Sequence, residues 1–297
     1  MKAAQTFAAF AVSLVVVFGL AFWVGRTVGP MAPTNNVAVS HAQELPGGLQ
    51  TTQDGYTLDL AGDRFAADRD VPLQFRILDP SGAPVTRYVE SHDKLLHLIV
   101  VRNDLANFQH VHPQLDANGT WRVPVNLSQA GDYRVFADFT ADGGPALTLG
   151  ANVHVAGRYD PQPLPAVSAS AAIDGYTVTL DGAPKVDESS MLTMTVSRDG
   201  KPVTDLQPYL GAYGHLVALR ASDLAYLHVH PMGDPGDGVT PAGPDIGFHT
   251  AFPSEGDYRL FLDFQHQGVV RTAEFTVSVD DGQSAPATQP GHTEHGH

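Results

Sequence analysis

Six histidines carry the strongest chemical signal in this sequence, because they fall into two sets of identical spacing. His97, His110 and His112 form one set. His215, His228 and His230 form the other, each 118 positions further on. Both sets read His-Leu, an interval, then His-Val-His-Pro. A neutral imidazole offers one bare nitrogen near pH 7, so three on one surface suit a copper or zinc ion with an open coordination position. The chain has no cysteine. That removes thiolate nucleophiles, Cys-based zinc sites and the thiolate ligand of a blue-copper centre.

Imidazoles converge only if the backbone places them together. His97–Arg102 and Phe108–His112 read as strands flanking a turn around Asn103–Asn107. A turn centred between Asp104 and Leu105 sets His97 opposite His112, and one between Ser222 and Asp223 sets His215 opposite His230. Residues two apart share a strand face, so His110 joins His112 and His228 joins His230. Opposed Cβ atoms are about 4.5–5.5 Å apart, whereas a one-residue slip would scatter each set. The same face carries Ile99, Val101 and Phe108, matched by Val217, Leu219 and Tyr226. The histidines are therefore expected at the apolar end of a core face, where burial disfavours protonation. The competing reading is structural: histidines bonded to backbone carbonyls and copied by duplication.

Asp138 and Asp263 recur inside the apolar stretches VFADF and LFLDF. A buried carboxylate needs a partner. Pairing with Arg134 or Arg259, or an outward orientation, is preferred here over a fourth metal ligand or an acceptor for a histidine N–H. His92, His154, His249 and His266 have no counterpart in the other copy and are expected at the surface. Met232 follows Pro231 in the second copy, where the first has Gln114, and is read as structural. Asp234, Asp237 and Asp245 lack the spacing and closing Glu of a calcium loop. No nucleophile elbow, H-E-x-x-H, phosphate loop or dinucleotide fingerprint occurs, so the chain is not expected to be an enzyme.

The histidine sets belong to a longer repeat. Asp54-Gly55-Tyr56-Thr57 returns as Asp174-Gly175-Tyr176-Thr177, and Gly131-Asp132-Tyr133-Arg134 as Gly256-Asp257-Tyr258-Arg259. Between them short β-branched segments alternate with turn signals such as Asn118-Gly119. The expectation is all-β: two tandem immunoglobulin-like or cupredoxin-like antiparallel β-sandwiches, at 48–157 and 168–281. A Pro-rich linker spans 158–167, a flexible stalk 30–47, and a tail at 282–297 ends in His292, His295 and His297. Residues 1–29 hold an uncharged run from Phe7 to Gly25, long enough as a helix to rise roughly 28 Å across a bilayer core. Lys2 before it weakly favours a cytoplasmic N-terminus. A single-pass membrane protein with its domains outside the cytoplasm is expected, or a secreted one after signal cleavage. A net charge of −15 excludes a nucleic-acid partner and is compatible with attracting cations.

Gly-x-Pro-Val-Thr, Gly214-His215-Leu216-Val217, Leu227-His228-Val229-His230-Pro231 and Gly256-Asp257-Tyr258-Arg259 together resemble exported actinobacterial tandem-repeat proteins of unassigned function. The pattern is also similar to YtkA-like and FixH-like domains. That resemblance spans most of residues 48–281 and implies immunoglobulin-like sandwiches on the outer membrane face. It implies metal handling through the frequent link of such proteins to copper and heavy-metal transport. The functional expectation is a membrane-anchored, extracytoplasmic copper-binding protein, with zinc the other metal. It would buffer the ion or deliver it to a membrane transporter or oxidase. The alternative is a non-catalytic immunoglobulin-like interaction or structural module displayed on the cell surface.

Overall fold

The computed structural model describes residues 46–186 and 189–280, without the side chains of His228 and His230. The apolar N-terminal run, nearly all of the stalk and the histidine tail lie outside the described residues.

Alternation builds each sandwich. Along Asp68–Leu78, Val71, Leu73, Phe75 and Ile77 are buried while Pro72 and Arg76 are exposed, the period-two pattern of a strand with one covered face. In the first repeat, one sheet runs Thr52–Gln53, Tyr56–Leu60, Asp68–Leu78, Thr120–Leu127, Gln114–Leu115 in spatial order. The facing sheet runs Arg64–Ala66, Ala146–Ala156, Gly131–Ala141, Leu96–Arg102, Gln109–Val111. The second repeat has the same plan. Ser170–Ile173, Tyr176–Asp181, Ser190–Arg198, Asp245–Thr250 and His230–Pro231 form one sheet; Tyr226–His228, Gly214–Arg220, Gly256–His266 and Val269–Val279 form the other. The expected pair of tandem immunoglobulin-like β-sandwiches is what the chain forms, each with its own core.

Two strands break the alternation. Leu96–Arg102 is buried at every position, and Gly214–Arg220 at all but its last. Leu98 and Val100 enter the core of the first sandwich; Leu216 and Ala218 enter that of the second. The opposite faces meet in a third cluster, where Ile99, Val101, Leu105 and Phe136 pack on Val217, Leu219, Leu224, Tyr226 and Phe261. Phe108 stacks on Phe261 across this seam, with ring centroids 3.9 Å apart and planes 5° from parallel. The apolar face expected to be a domain core is thus the contact between repeats. Both faces of these strands are apolar, so alternation cannot say which one lines the sandwich.

The seam extends into the chain before the first repeat. The Tyr226 amide donates to the Gly47 carbonyl at 2.9 Å, and the next residue, Gly48, has a positive φ of 75°. A side chain at Gly48 would collide with the Phe136 ring. Glycine is needed there for both the φ and the close approach.

Candidate metal centre

The hairpin register that gathers the first histidine set is the expected one. Leu98 pairs with Val111, Ile99 with His110 and Val100 with Gln109. His112, the next residue past the ladder, brings its Nε2 to 3.2 Å from His97 Nδ1. The second copy keeps the expected register from Val217 paired to His228 through Leu219 paired to Tyr226, but the expected pairing of His215 with His230 does not form. Past His228 the chain changes sheets, and His230 pairs with His249 in the opposite layer.

His97 Nδ1 lies 3.1 Å from His110 Nε2 and 3.2 Å from His112 Nε2, and the three nitrogens all fall within 4.8 Å of one another. The other ring nitrogens fix the tautomers. His97 Nε2 sits 3.0 Å from the Ser91 carbonyl, which can only accept, so Nε2 carries the hydrogen and Nδ1 keeps its lone pair. His110 Nδ1 sits 2.8 Å from Asp263 Oδ2, which likewise places the hydrogen on Nδ1 and turns Nε2 inward. A carboxylate that orients a ring and raises its basicity is a recurrent partner of metal-binding histidine. Metal–nitrogen bonds of about 2.0–2.1 Å separate ligand nitrogens by about 3.3 Å around a tetrahedral ion. Two edges of the triangle are already close to that spacing.

Electrostatics favours bare nitrogens. Burial lowers the pKa of His97 to about 4, helped by the neighbouring His110. His112 is lowered to about 3, first by burial and then by His110 and His97. Both rings are therefore neutral at pH 7, the form that ligates. A surface cleft of about 290 Å³, lined by Ser91, Lys94, His97, Asp138 and Thr148 among others, lies beside His97.

Asp263 corrects the expectation for the recurring aspartates. It is 3% exposed and bonds His110 of the other repeat and Thr272 of its own, not Arg259. Arg259 instead pairs with Glu274, while Arg134 donates to the Gly48 carbonyl and to Asn152. Asp138 accepts from Thr148 and from the Tyr226 hydroxyl, each at 3.3 Å. Desolvation followed by the Asp138 charge drives the Tyr226 pKa well above its ordinary value, so that hydroxyl stays protonated.

His215 is buried beside this group rather than in a remote second site. Its Nε2 donates to the Tyr209 and Leu210 carbonyls at 2.8 and 3.1 Å, as His97 does to Ser91, and burial lowers its pKa to about 4. The backbones of His228 and His230 are placed as above; their side chains are outside the described residues. Of the histidines expected at the surface, His92 is half-buried and His266 is buried. His92 lies against His215, with ring centroids 5.2 Å apart. His266 is 5% exposed, between the Tyr176 hydroxyl at 2.7 Å and Asp205 at 3.1 Å. His249 is exposed, and His154 pairs with Asp132 at the surface. Asp237 is occupied by its own loop, accepting from the amides of Val239 and Thr240. The signal for Asp263 was present, a carboxylate conserved between copies inside an apolar strand. Its partner is not legible, because nothing in one repeat shows that the other packs on it.

Fold and site together define a tandem β-sandwich protein with a histidine cluster at the junction of its repeats. The chain belongs to the family described as "Domain of unknown function (DUF8832)", which matches residues 50–158 and 171–281. No curated protein matches it. Among solved structures it is similar to the Escherichia coli adhesin FdeC, at 18% identity over 77% of this chain and 65% of that one, with a TM-score of 0.27. The chain thus spans about 65% of the adhesin's length. Domains 5–6 of the S-layer protein SbsC align at 12% identity over 76% and 97%, with a TM-score of 0.23. The D0–D1 domain of intimin aligns at 15% identity over 74% and 96%, with a TM-score of 0.20. Likeness at this level carries no information about function.

Proposed function

We propose that this chain is a metal-binding protein whose ion is held by His97, His110 and His112, with copper the preferred metal and zinc the competitor. The observation that supports it is the inward set of bare nitrogens. His97 and His110 each have one nitrogen committed to a fixed acceptor and the other turned to a common point. Hydrogen bonding alone accounts poorly for the arrangement. His112 Nε2–H can donate to the bare His97 Nδ1. His97 and His110, however, have both spent their hydrogens on Ser91 and Asp263, so the 3.1 Å contact between His97 Nδ1 and His110 Nε2 needs either an added proton or an ion. Three neutral ligands in apolar surroundings suit a low-charge ion, because desolvation cost rises with charge. That favours Cu⁺ over Zn²⁺. The open fourth position suits capture and transfer more than permanent structural closure.

The same reading places the domains outside the cytoplasm on a membrane anchor, or free after signal cleavage. There they would buffer copper or hand it to a membrane transporter or oxidase. The kinship with YtkA-like and FixH-like domains belongs to this proposal too. Calorimetric titration of the full chain with Cu⁺ under reductant and with Zn²⁺, beside a His110→Ala variant, tests it. Binding tighter than micromolar that the variant loses supports the reading. No binding to the parent sinks it and leaves a displayed, non-catalytic pair of interaction domains.

A further inference from the structure

We propose that the histidines at the repeat junction form one dinuclear centre, in which His92 and His215 hold a second divalent transition cation beside the triad. This rests on the metal reading of the triad and adds a position to it.

Ring spacing separates the two groups. With metal–nitrogen bonds of about 2.0–2.1 Å, two imidazoles on one tetrahedral ion have centroids about 5.2 Å apart. The triad's centroids are 5.3, 5.1 and 4.9 Å apart. The His92–His215 distance is 5.2 Å. Between the groups the distances lengthen: 6.1 Å from His92 to His97, and 6.4 Å from His215 to both His97 and His110. His215 is thus too far to share the triad's ion, but is well placed for an adjacent one.

His215 is also prepared as a ligand. The carbonyls of Tyr209 and Leu210 hold its Nε2–H, which leaves the lone pair on Nδ1. A cavity of about 30 Å³ lies at the seam, lined by His92, His97, His110, Asp138 and His215 with apolar residues around them. That is room for a small ion and a water. Asp138 gives the cavity wall an oxygen donor and negative charge, while Val217, Tyr226 and Val229 make it apolar. Two imidazoles, with the Asp138 charge in the wall to attract a cation, suit Zn²⁺ or Cu²⁺.

The backbone at His92 supports a role for that side chain. His92 and Asp93 are the central residues of a tight turn closed by Ser91 and Lys94, with φ of 50° and 58°. Such positions favour glycine or asparagine. The second repeat makes the same turn with Leu210 and Gly211, at φ of 53° and 74°. Only the first repeat puts an imidazole there, and it points into the seam.

The test uses the full chain with His41, His154, His249, His292, His295 and His297 replaced by alanine, so that exposed, stalk and tail histidines do not bind. Bound metal is counted after loading with Zn²⁺ or Cu²⁺ and dialysis, and the Cu²⁺ form is examined by EPR. Two ions per chain and a half-field signal from coupled Cu²⁺ are expected. His92→Asn, which keeps a residue tolerant of positive φ, should weaken the second ion about 100-fold and abolish the half-field signal. His112→Ala should release the triad ion and spare the other. A single ion in the parent, lost in His112→Ala, overturns the second position while leaving the triad reading intact. Two ions that survive His92→Asn also overturn it. No ion at all overturns both.

Discussion

The two repeats share a motif, a hairpin register and a buried leading histidine, yet they meet the seam differently. The first sends Phe108 to stack on Phe261; the second has Tyr226 at the matching place, which donates to Asp138. The first closes its turn with His92-Asp93, the second with Leu210-Gly211. Asp263 of the second repeat holds a histidine of the first, at 2.8 Å. Duplication supplied a near-symmetric pair of faces, and a few substitutions gave the halves distinct tasks. The first repeat gathers the triad's nitrogens, and the second supplies the carboxylate that aims one of them. A site with a ring from one repeat and its orienting acid from the other needs both repeats packed.

That comparison can be broken most sharply at the stacked pair. Phe261→Ala should cost about 3–4 kcal/mol of unfolding free energy, because it empties the seam. Tyr226→Phe should cost about 1 kcal/mol, the net worth of one hydrogen bond. Equal losses in urea melts would mean that the seam does not depend on the stack. His110→Ala comes next. It should remove tight metal binding and cost about 3 kcal/mol by leaving Asp263 buried without its partner. Calorimetry and melting measure the two effects separately.

A gentler change sharpens the division of labour. Asp263→Asn should weaken the triad's ion about 10- to 100-fold, the usual effect of losing a ligand's orienting partner. Asp138→Asn should leave that ion unchanged, and a similar loss in both would erase the asymmetry. Ion at about 100 times its dissociation constant should add roughly 2.7 kcal/mol. For a folded unit of this size that is a rise in Tm of about 5–10 °C, visible by calorimetry.

A separate readout is the pH dependence of the metal-free protein. His97, His112 and His215 have pKa values of about 4, 3 and 4 when folded, below the ordinary value of 6.5. The unfolded chain therefore binds more protons between about pH 6.5 and 4. Stability is full above pH 6.5 and falls as pH drops through that window. A His215→Leu variant should show a shallower fall, and an unchanged slope would mean that this histidine does not titrate with unfolding. Protons compete for the same nitrogens, so metal affinity should decline over the same range.

Much of the local structure was legible. The strand segments, the duplication and the hairpin register follow from period-two alternation and from motifs that recur in order. Set opposite each other, His97 and His112 could be placed from the turn centre alone. His92 was not legible, because a residue without a counterpart carries no repeat signal and its turn is read as surface. His266 was missed for the same reason, although Tyr176 and Asp205 bury and bond it.

The sequence by itself determined two sandwiches and three histidines on one face of a strand pair. Those depend on nearest neighbours along and across a hairpin, where a spacing of two decides which side chains share a face. Only the tertiary structure decided what that face meets. Leu96–Arg102 is apolar on both sides, so alternation leaves open which side is the core and which the seam. Packing resolved it: one side filled the sandwich, the other met the second repeat, and Asp263 came within hydrogen-bonding distance of His110 from 153 residues away.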